Sequence, residues 1–190
     1  MDLKEKAIKS VKWTTISTVV GSAIQVVQLL ILSRLLEPKD FGLIAVINVI
    51  IVFVRSFADL GVAAAIIHHQ DTTERQLSTL YWLNLITGIC LFLIVLLFRP
   101  FMVFFFKEPI LKDLLLYVSI SLLIAPVGSL FQVLFQKELR FNLLAGQEII
   151  STAIGSAVTI ASAFLKQGAW SLVWGQLANI SARTFLVTSA

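Results

Sequence analysis

One face of an otherwise apolar stretch carries three polar residues, Asn48, Arg55 and Asp59. Spacings of seven and four residues bring them within about 40° of one another around a helix. Arg55 and Asp59 are four residues apart and can form an ion pair. This pair either neutralises itself and orients the helix against its neighbours, or it serves transport. In the second case Arg55 lines a path for an anionic substrate, or the pair breaks and re-forms during transport.

The last apolar stretch repeats this geometry with Gln176, Asn179 and Arg183, at spacings of three and four residues. An arginine deep in a membrane faces a bundle interior or water rather than lipid. Arg183 therefore either contributes to a polar path or, near a helix end, extends its guanidinium to the membrane surface. In the first apolar stretch, Gln25 and Gln28 are amides that either hydrogen-bond to a neighbouring helix or contact a substrate.

Two further stripes favour helix packing. Ser129, Gln132 and Gln136 share a face of the fourth stretch, where hydroxyls and amides either join neighbouring helices, their usual role, or contact a substrate. Small residues at four-residue steps in the fifth stretch predict a face that approaches another helix closely. They are Ser151, Gly155, Thr159 and Ala163.

The composition indicates that these residues are held by membrane-spanning elements. Of the 190 residues, 58% are hydrophobic and 14% are charged, against about 25% charged in a soluble domain. So little charge cannot cover an apolar core with a water-facing surface, which predicts an all-α polytopic membrane helix bundle. Length favours helices, because a membrane strand needs about half of the roughly 20 residues that a helix needs. We expect one transmembrane domain over residues 1–190 with six spans, at about 13–36, 41–67, 77–98, 114–135, 143–165 and 169–190.

Prolines and polar turns separate the spans. Pro38 ends the first helix, and Asp40 is expected to cap the second. The aromatic run at residues 101–106 either lies in the membrane interface or extends the third helix. Four lysines directly before the first span favour a cytoplasmic amino terminus. With them, the cytoplasmic side carries seven cations against six on the other side, and without them three against six.

Soluble-enzyme motifs are absent from the sequence. It has no Walker sequence, no nucleophile beside a suitable base and no set of metal ligands, since His68 and His69 are adjacent in a polar loop. We therefore expect neither an enzyme nor a cofactor or metal. The basic residues stand mostly at the ends of apolar runs, where they meet lipid headgroups. This pattern predicts membrane lipids as partners and excludes nucleic acid.

Five short motifs occur in series along most of the chain. They are LLEPKDFGL at residues 35–43, DLG at 59–61, YWLN at 81–84, PVG at 126–128 with QKELRF at 136–141, and GAWSLV at 168–173. In this order they resemble the signatures of Wzx-type polysaccharide flippases, of the colanic-acid exporter kind, in the multidrug/oligosaccharidyl-lipid/polysaccharide exporter superfamily.

The resemblance implies two six-helix lobes around a cavity that is generally cationic, working by alternating access. It also implies a bacterial cytoplasmic membrane location. The implied substrate is an undecaprenyl-pyrophosphate-linked oligosaccharide, which moves from the cytoplasmic to the periplasmic leaflet; Arg55 and Arg183 would suit its diphosphate. The sequence departs from the family pattern because it holds only the first lobe. We therefore expect the chain to be the N-terminal half of an exporter, with a second six-helix lobe or a second copy as its partner.

Three other functions stay open. A multidrug or cation antiporter of the same superfamily would favour buried acidic residues, of which Glu148 is the one candidate outside the Arg55–Asp59 pair. A membrane scaffold without transport activity is the second. The third is a membrane enzyme of lipid metabolism, which the absence of an acid–base cluster disfavours.

Overall fold

A computed structural model describes residues 3–67, 74–137 and 141–189. Side chains are described for residues 12–54, 56, 79, 81–129, 131–132, 135 and 141–189. These parts of the chain are almost entirely helical and contain no strand, which confirms the all-α prediction. Seven helices follow one another: α1 (Leu3–Leu35), α2 (Pro38–Ile67), α3 (Glu74–Phe106), α4 (Leu111–Ser119), α5 (Ser121–Lys137), α6 (Phe141–Phe164) and α7 (Ala169–Thr188).

The start of α2 differs from the expected cap. The helix begins at Pro38, so Asp40 lies in its first turn and not at the N-cap. Proline suits the first helical position because its fixed φ is already helical and its missing N–H would have no partner there. The carboxylate of Asp40 still stabilises this end, since negative charge is favourable near a helix amino terminus.

The aromatic run at residues 101–106 extends the third helix. α3 continues through Pro100 to Phe106 and is 33 residues long. The helix stops after Phe106, because the next residue, Lys107, has a left-handed φ of 54° that cannot continue a right-handed helix.

The fourth predicted span consists of two helices with a break at Ile120. The amide of Ile120 donates to the carbonyl of Tyr117 at 3.2 Å, an i→i−3 bond that tightens the helix locally. The Ser119 hydroxyl donates to the Leu116 carbonyl at 2.7 Å, and such back-bonding bends helices. Ile120 itself keeps a right-handed helical conformation, with φ −56° and ψ −30°. Because Ile120 keeps this conformation, the two helices form one continuous stretch, Leu111–Ser129, which is long and apolar enough to cross a membrane once.

Four described stretches are long and apolar enough to span a membrane. They are Lys12–Leu35, Tyr81–Phe106, Leu111–Ser129 and Phe141–Phe164. α7, with 20 residues, is about 30 Å long, but it carries several polar side chains. The prediction of six spans in one domain stays a prediction.

The chain divides into two compact units. The first contains residues 1–38 and 131–190, and the second contains residues 39–130. In the first unit, α6 packs against both α1 and α7. The predicted small-residue face of α6 is buried and confirmed as a close-packing face: a Cβ on Gly155 would lie 2.7 Å from the Cβ of Asn179 and 2.9 Å from the carbonyl oxygen of Gly175.

The second unit joins α3 to α4 and α5. Proline has no backbone N–H, so Pro126 cannot donate the usual helical hydrogen bond to the carbonyl of Leu122, four residues earlier. That carbonyl lies against Gly88 of α3, where an added Cβ would be only 2.6 Å from it. Nearby, the Asn84 amide donates to the Ser129 hydroxyl at 2.7 Å, and Ser129 donates to the Pro126 carbonyl at 2.7 Å. The proline region of α5 is therefore fixed to α3 by close contact and by hydrogen bonds.

Candidate functional site

A polar cavity of about 310 Å³ lies in the first unit, between α1, the end of α5, α6 and α7. Nine of its lining residues have a polar or charged side chain, which is unusual in a chain this apolar. α1 contributes Thr14, Ser17, Thr18, Gly21, Ser22 and Gln25, α5 contributes Gln132, α6 contributes Phe141, Leu144, Ala145, Glu148 and Thr152, and α7 contributes Arg183.

The α1 wall is a single helix face. Its residues recur at steps of three and four, which align them along one side of a helix. Ser17 and Thr18 each donate a hydrogen bond to the Thr14 carbonyl at 2.9 Å, so their hydroxyl oxygens remain as acceptors facing the cavity region. A Cβ at Gly21 would meet nothing within 4 Å, so this position is open space.

An ion pair joins the α6 and α7 walls. Arg183 Nη2 lies 2.8 Å from Glu148 Oε2. The two side chains are 39% and 40% exposed, so the pair is accessible from the cavity. Arg183 is thus held by a carboxylate of a neighbouring helix. Sequence reasoning did not pair these residues, yet one signal was present: Glu148 is the sole acidic residue after Glu138, and a cation within a membrane bundle needs a counter-charge.

Three of the substrate-site residues predicted in the first unit, Gln28, Gln176 and Asn179, are not among the residues that line the cavity. Gln28 accepts a hydrogen bond from the Ser156 hydroxyl at 2.6 Å, which joins α1 to α6. Asn179 is half-buried at the α6–α7 contact beside Gly155. Gln176, one helical turn earlier, is also half-buried. Of the predicted substrate-site residues of this unit, Gln25 and Arg183 line the cavity, together with Gln132, which the sequence placed on a polar stripe, and Glu148, the acidic candidate of the antiporter alternative.

The predicted stripe of α2 belongs to the second unit. Asn48 is exposed there. The side chains of Arg55 and Asp59 lie outside the described residues, so their predicted pairing stays a prediction.

The cavity can bind a polar group through hydrogen bonds and one cation. Hydroxyls and amides both donate and accept, which suits sugar hydroxyls, while guanidinium offers five N–H donors in a planar fork that matches phosphate. Glu148 Oε2 contacts one arm of that fork, Nη2. Among the described residues, no group of three or more histidine, cysteine or acidic side chains is placed to hold a metal ion.

Comparisons with a family profile and with individual proteins point to the same family. The profile of the family described as "Polysaccharide biosynthesis protein" matches residues 31–190. The chain is 34% identical over 186 residues to the lipopolysaccharide biosynthesis protein WzxC of Escherichia coli, covering 98% of this chain and 38% of that protein. It is 35% identical over 184 residues to the teichuronic acid biosynthesis protein TuaB of Bacillus subtilis, covering 97% and 38%.

A third relative is the succinoglycan biosynthesis transport protein ExoT of Rhizobium meliloti, 24% identical over 165 residues, which are 87% of this chain and 33% of ExoT. The chain thus spans less than two fifths of the length of these relatives. No solved structure matches the chain significantly. The family match and the four apolar helices together confirm the resemblance seen in the motifs: the chain is a multi-pass membrane protein and belongs to the polysaccharide biosynthesis protein family.

Proposed function

We propose that this chain forms the N-terminal six-helix lobe of an exporter that moves lipid-linked oligosaccharide across the bacterial cytoplasmic membrane. The amino terminus lies in the cytoplasm, and a second lobe or a second copy completes the transport path. The protein acts as a transporter and not as an enzyme. Family membership supports this proposal, as do the names of relatives in polysaccharide biosynthesis and succinoglycan transport.

The observation that carries the proposal is the polar cavity of the first unit. Moving a sugar through hydrocarbon strips its hydroxyls of water, which costs several kcal/mol per group unless hydrogen bonds replace it. Hydroxyls and amides on α1, α5 and α6 offer such replacements inside a chain that is 58% hydrophobic. A scaffold protein without transport has no need of a cavity lined in this way.

Arg183 is the proposed ligand for the anionic headgroup. Guanidinium binds phosphate oxygens through two parallel N–H bonds, and these charge-assisted bonds are roughly twice as strong as neutral ones. Gln25 would add an amide contact from α1. We assign Asn48, Arg55 and Asp59 to the same transport role on sequence spacing alone. We assign Gln28, Gln176 and Asn179 to the helix contacts that hold the cavity walls.

Deletion of the gene that encodes this chain tests the function. The deletion strain should accumulate lipid-linked oligosaccharide in the cytoplasmic leaflet. Enzymatic labelling from outside of spheroplasts, which reaches only the outer leaflet, should therefore label less of it than in the wild type. Complementation with the wild-type gene should restore labelling, and Arg183→Gln should not. Lys166→Gln is the matched control, because it removes one positive charge from the exposed connection between α6 and α7.

Two results would contradict the proposal. Normal outer-leaflet labelling and normal surface polysaccharide in the deletion strain would exclude flipping of this substrate. Unchanged polysaccharide together with new sensitivity to cationic dyes would instead favour the antiporter of cationic compounds.

A further inference from the structure

Glu148 and Arg183 are the two charged side chains among the described residues that line the cavity. They form a single ionic contact at 2.8 Å and stand on different helices, α6 and α7. Without a ligand the described cavity wall is therefore neutral overall. An anion that approaches Arg183 meets a site already occupied by a carboxylate.

From this geometry we infer that Glu148 is a built-in competitor that occupies Arg183 until an oxyanion of the ligand displaces it. The inference rests on the proposed function, since it concerns how the same cavity selects its ligand. The ligand class is an oxyanion with enough charge to replace a carboxylate. A diphosphate of the lipid carrier and an acidic sugar both offer this chemistry.

The exchange is chemically balanced. Arg183 gives up a charge-assisted bond to the Glu148 carboxylate and gains one to the ligand, and a phosphate can accept two arms of the guanidinium fork. The released carboxylate does not become a buried, unpaired charge, because Glu148 is 40% exposed. The Thr152 hydroxyl, one turn further along the same face of α6, also lines the cavity and can donate to the freed carboxylate.

Two consequences follow for selectivity. A neutral sugar gains nothing from Arg183, because it cannot displace the carboxylate. A ligand that does displace Glu148 changes the link between α6 and α7 at the cavity, so binding is coupled to the contact between these helices. Selection of anionic ligands and response to binding therefore depend on the same pair.

Binding of inorganic pyrophosphate to the purified 190-residue chain in lipid nanodiscs tests the inference. Calorimetric titration would compare wild type with Glu148→Gln, which removes the competing charge and keeps the shape of the side chain. Since a partly exposed ion pair contributes about 0.2–1 kcal/mol, the variant should bind about 1.4-fold to fivefold more tightly. Glu148→Asp, which shortens the reach to Arg183, should also bind more tightly than wild type.

The matched control is Glu108→Gln. It removes the same group from a second ion pair of the same length, Lys39 Nζ to Glu108 Oε1 at 2.8 Å, in the other unit. We expect this variant to bind pyrophosphate as wild type does. Titration with glucuronate distinguishes the two sources of oxyanion: a greater gain for pyrophosphate indicates the carrier diphosphate, and a greater gain for glucuronate indicates an acidic sugar.

The inference and the proposed headgroup site fail in different ways. If Arg183→Gln abolishes binding while Glu148→Gln binds as wild type does, or more weakly, Glu148 is no competitor although the headgroup site stands. If Arg183→Gln binds pyrophosphate as well as wild type, or if no variant binds it, both ideas are wrong. Circular dichroism and thermal unfolding of each variant show whether it is folded, and a misfolded Glu148→Gln leaves Glu148→Asp to decide.

Discussion

Replacing Gly175 with alanine tests the closest helix contact of the first unit. An added Cβ at Gly175 would lie against the Thr159 hydroxyl, 2.8 Å from the Thr159 Cβ and 2.9 Å from the carbonyl oxygen of Gly155. Thr159 cannot move away without loss, because its hydroxyl donates to that same carbonyl at 2.8 Å. Alanine at this position therefore has to push α7 away from α6.

The magnitude follows from two opposing effects. Overpacking of a tight contact costs about 1–3 kcal/mol. Alanine in place of glycine inside a helix gains about 1 kcal/mol from backbone conformation alone. Gly146→Ala isolates this gain, because Gly146 lies on α6 and a Cβ there would meet nothing within 4 Å. The conformational gain cancels in the comparison, so Gly175→Ala should be about 1–3 kcal/mol less stable than Gly146→Ala.

Unfolding of the two variants in mixed micelles, with increasing denaturing detergent, measures this difference. Tryptophan fluorescence is a suitable signal because Trp170 and Trp174 stack on each other in α7, with ring centroids 6.1 Å apart. Thr159→Ala removes the Thr159 hydroxyl, the nearest of the three obstructing atoms, and should recover part of the stability in the double variant. If Gly175→Ala and Gly146→Ala unfold at the same detergent concentration, α6 and α7 do not pack at this distance.

Three further predictions concern polar contacts. A double-mutant cycle on Gln28 and Ser156, with alanine at each, should give a coupling of about 0.6–1.7 kcal/mol, the range for hydrogen bonds between membrane helices; zero coupling would show that α1 and α6 are not joined there. Asn84→Ala should destabilise the second unit by about 0.6 kcal/mol or more. Ser129→Ala should cost less in that background than in the wild type, because the bond between the two side chains is already lost and only the bond from Ser129 to the Pro126 carbonyl remains to be removed; equal losses in both backgrounds, measured by thermal unfolding, would contradict the pairing. Lys39→Gln should cost at most about 1 kcal/mol and less at high salt, since the side chains of Lys39 and its partner Glu108 are 61% and 31% exposed; a salt-independent loss would show a buried interaction instead.

The fold class followed from composition, whereas the helix bounds required tertiary information. The continuous apolar runs show no useful periodicity. Their length of about 20 residues still predicts helices, because membrane strands would be about half as long and would alternate apolar with polar residues. The break at Ile120 has no proline or glycine within it, and it follows a serine, Ser119, whose hydroxyl bonds to the backbone carbonyl of Leu116. Similarly, Asp40 and Pro38 are both good helix starters, and only the backbone decides that the helix begins with the proline.

The candidate site was harder to predict than the fold. Spacing within a segment shows which residues share a face, so Gln176, Asn179 and Arg183 were grouped correctly on one helix. It does not show which neighbour that face meets. Asn179 packs against Gly155, while Arg183 reaches Glu148, a residue 35 positions away in sequence. Most of the serines and threonines of α1 that line the cavity were missed, because hydroxyls in a membrane helix can satisfy themselves on their own backbone.

The direction of the helices in the first unit limits the number of membrane crossings between α1 and α6. α1 and α6 run parallel, because Thr14 and Gln25 line the cavity with Phe141 and Thr152 while Gln28, further along α1, bonds to Ser156, further along α6. Parallel helices on one chain require an odd number of membrane crossings between them. Three crossings satisfy this requirement if α2 and α3 each cross once and α4 and α5 together cross once. If α4 and α5 each crossed separately, there would be four crossings, an even number that does not allow α1 and α6 to be parallel.

α7 runs antiparallel to α6, since Glu148 meets Arg183 whereas Gly155 meets Gly175. A polar α7 that crosses as the sixth span then needs its arginine neutralised within the bundle, and the carboxylate of Glu148 is placed to do this.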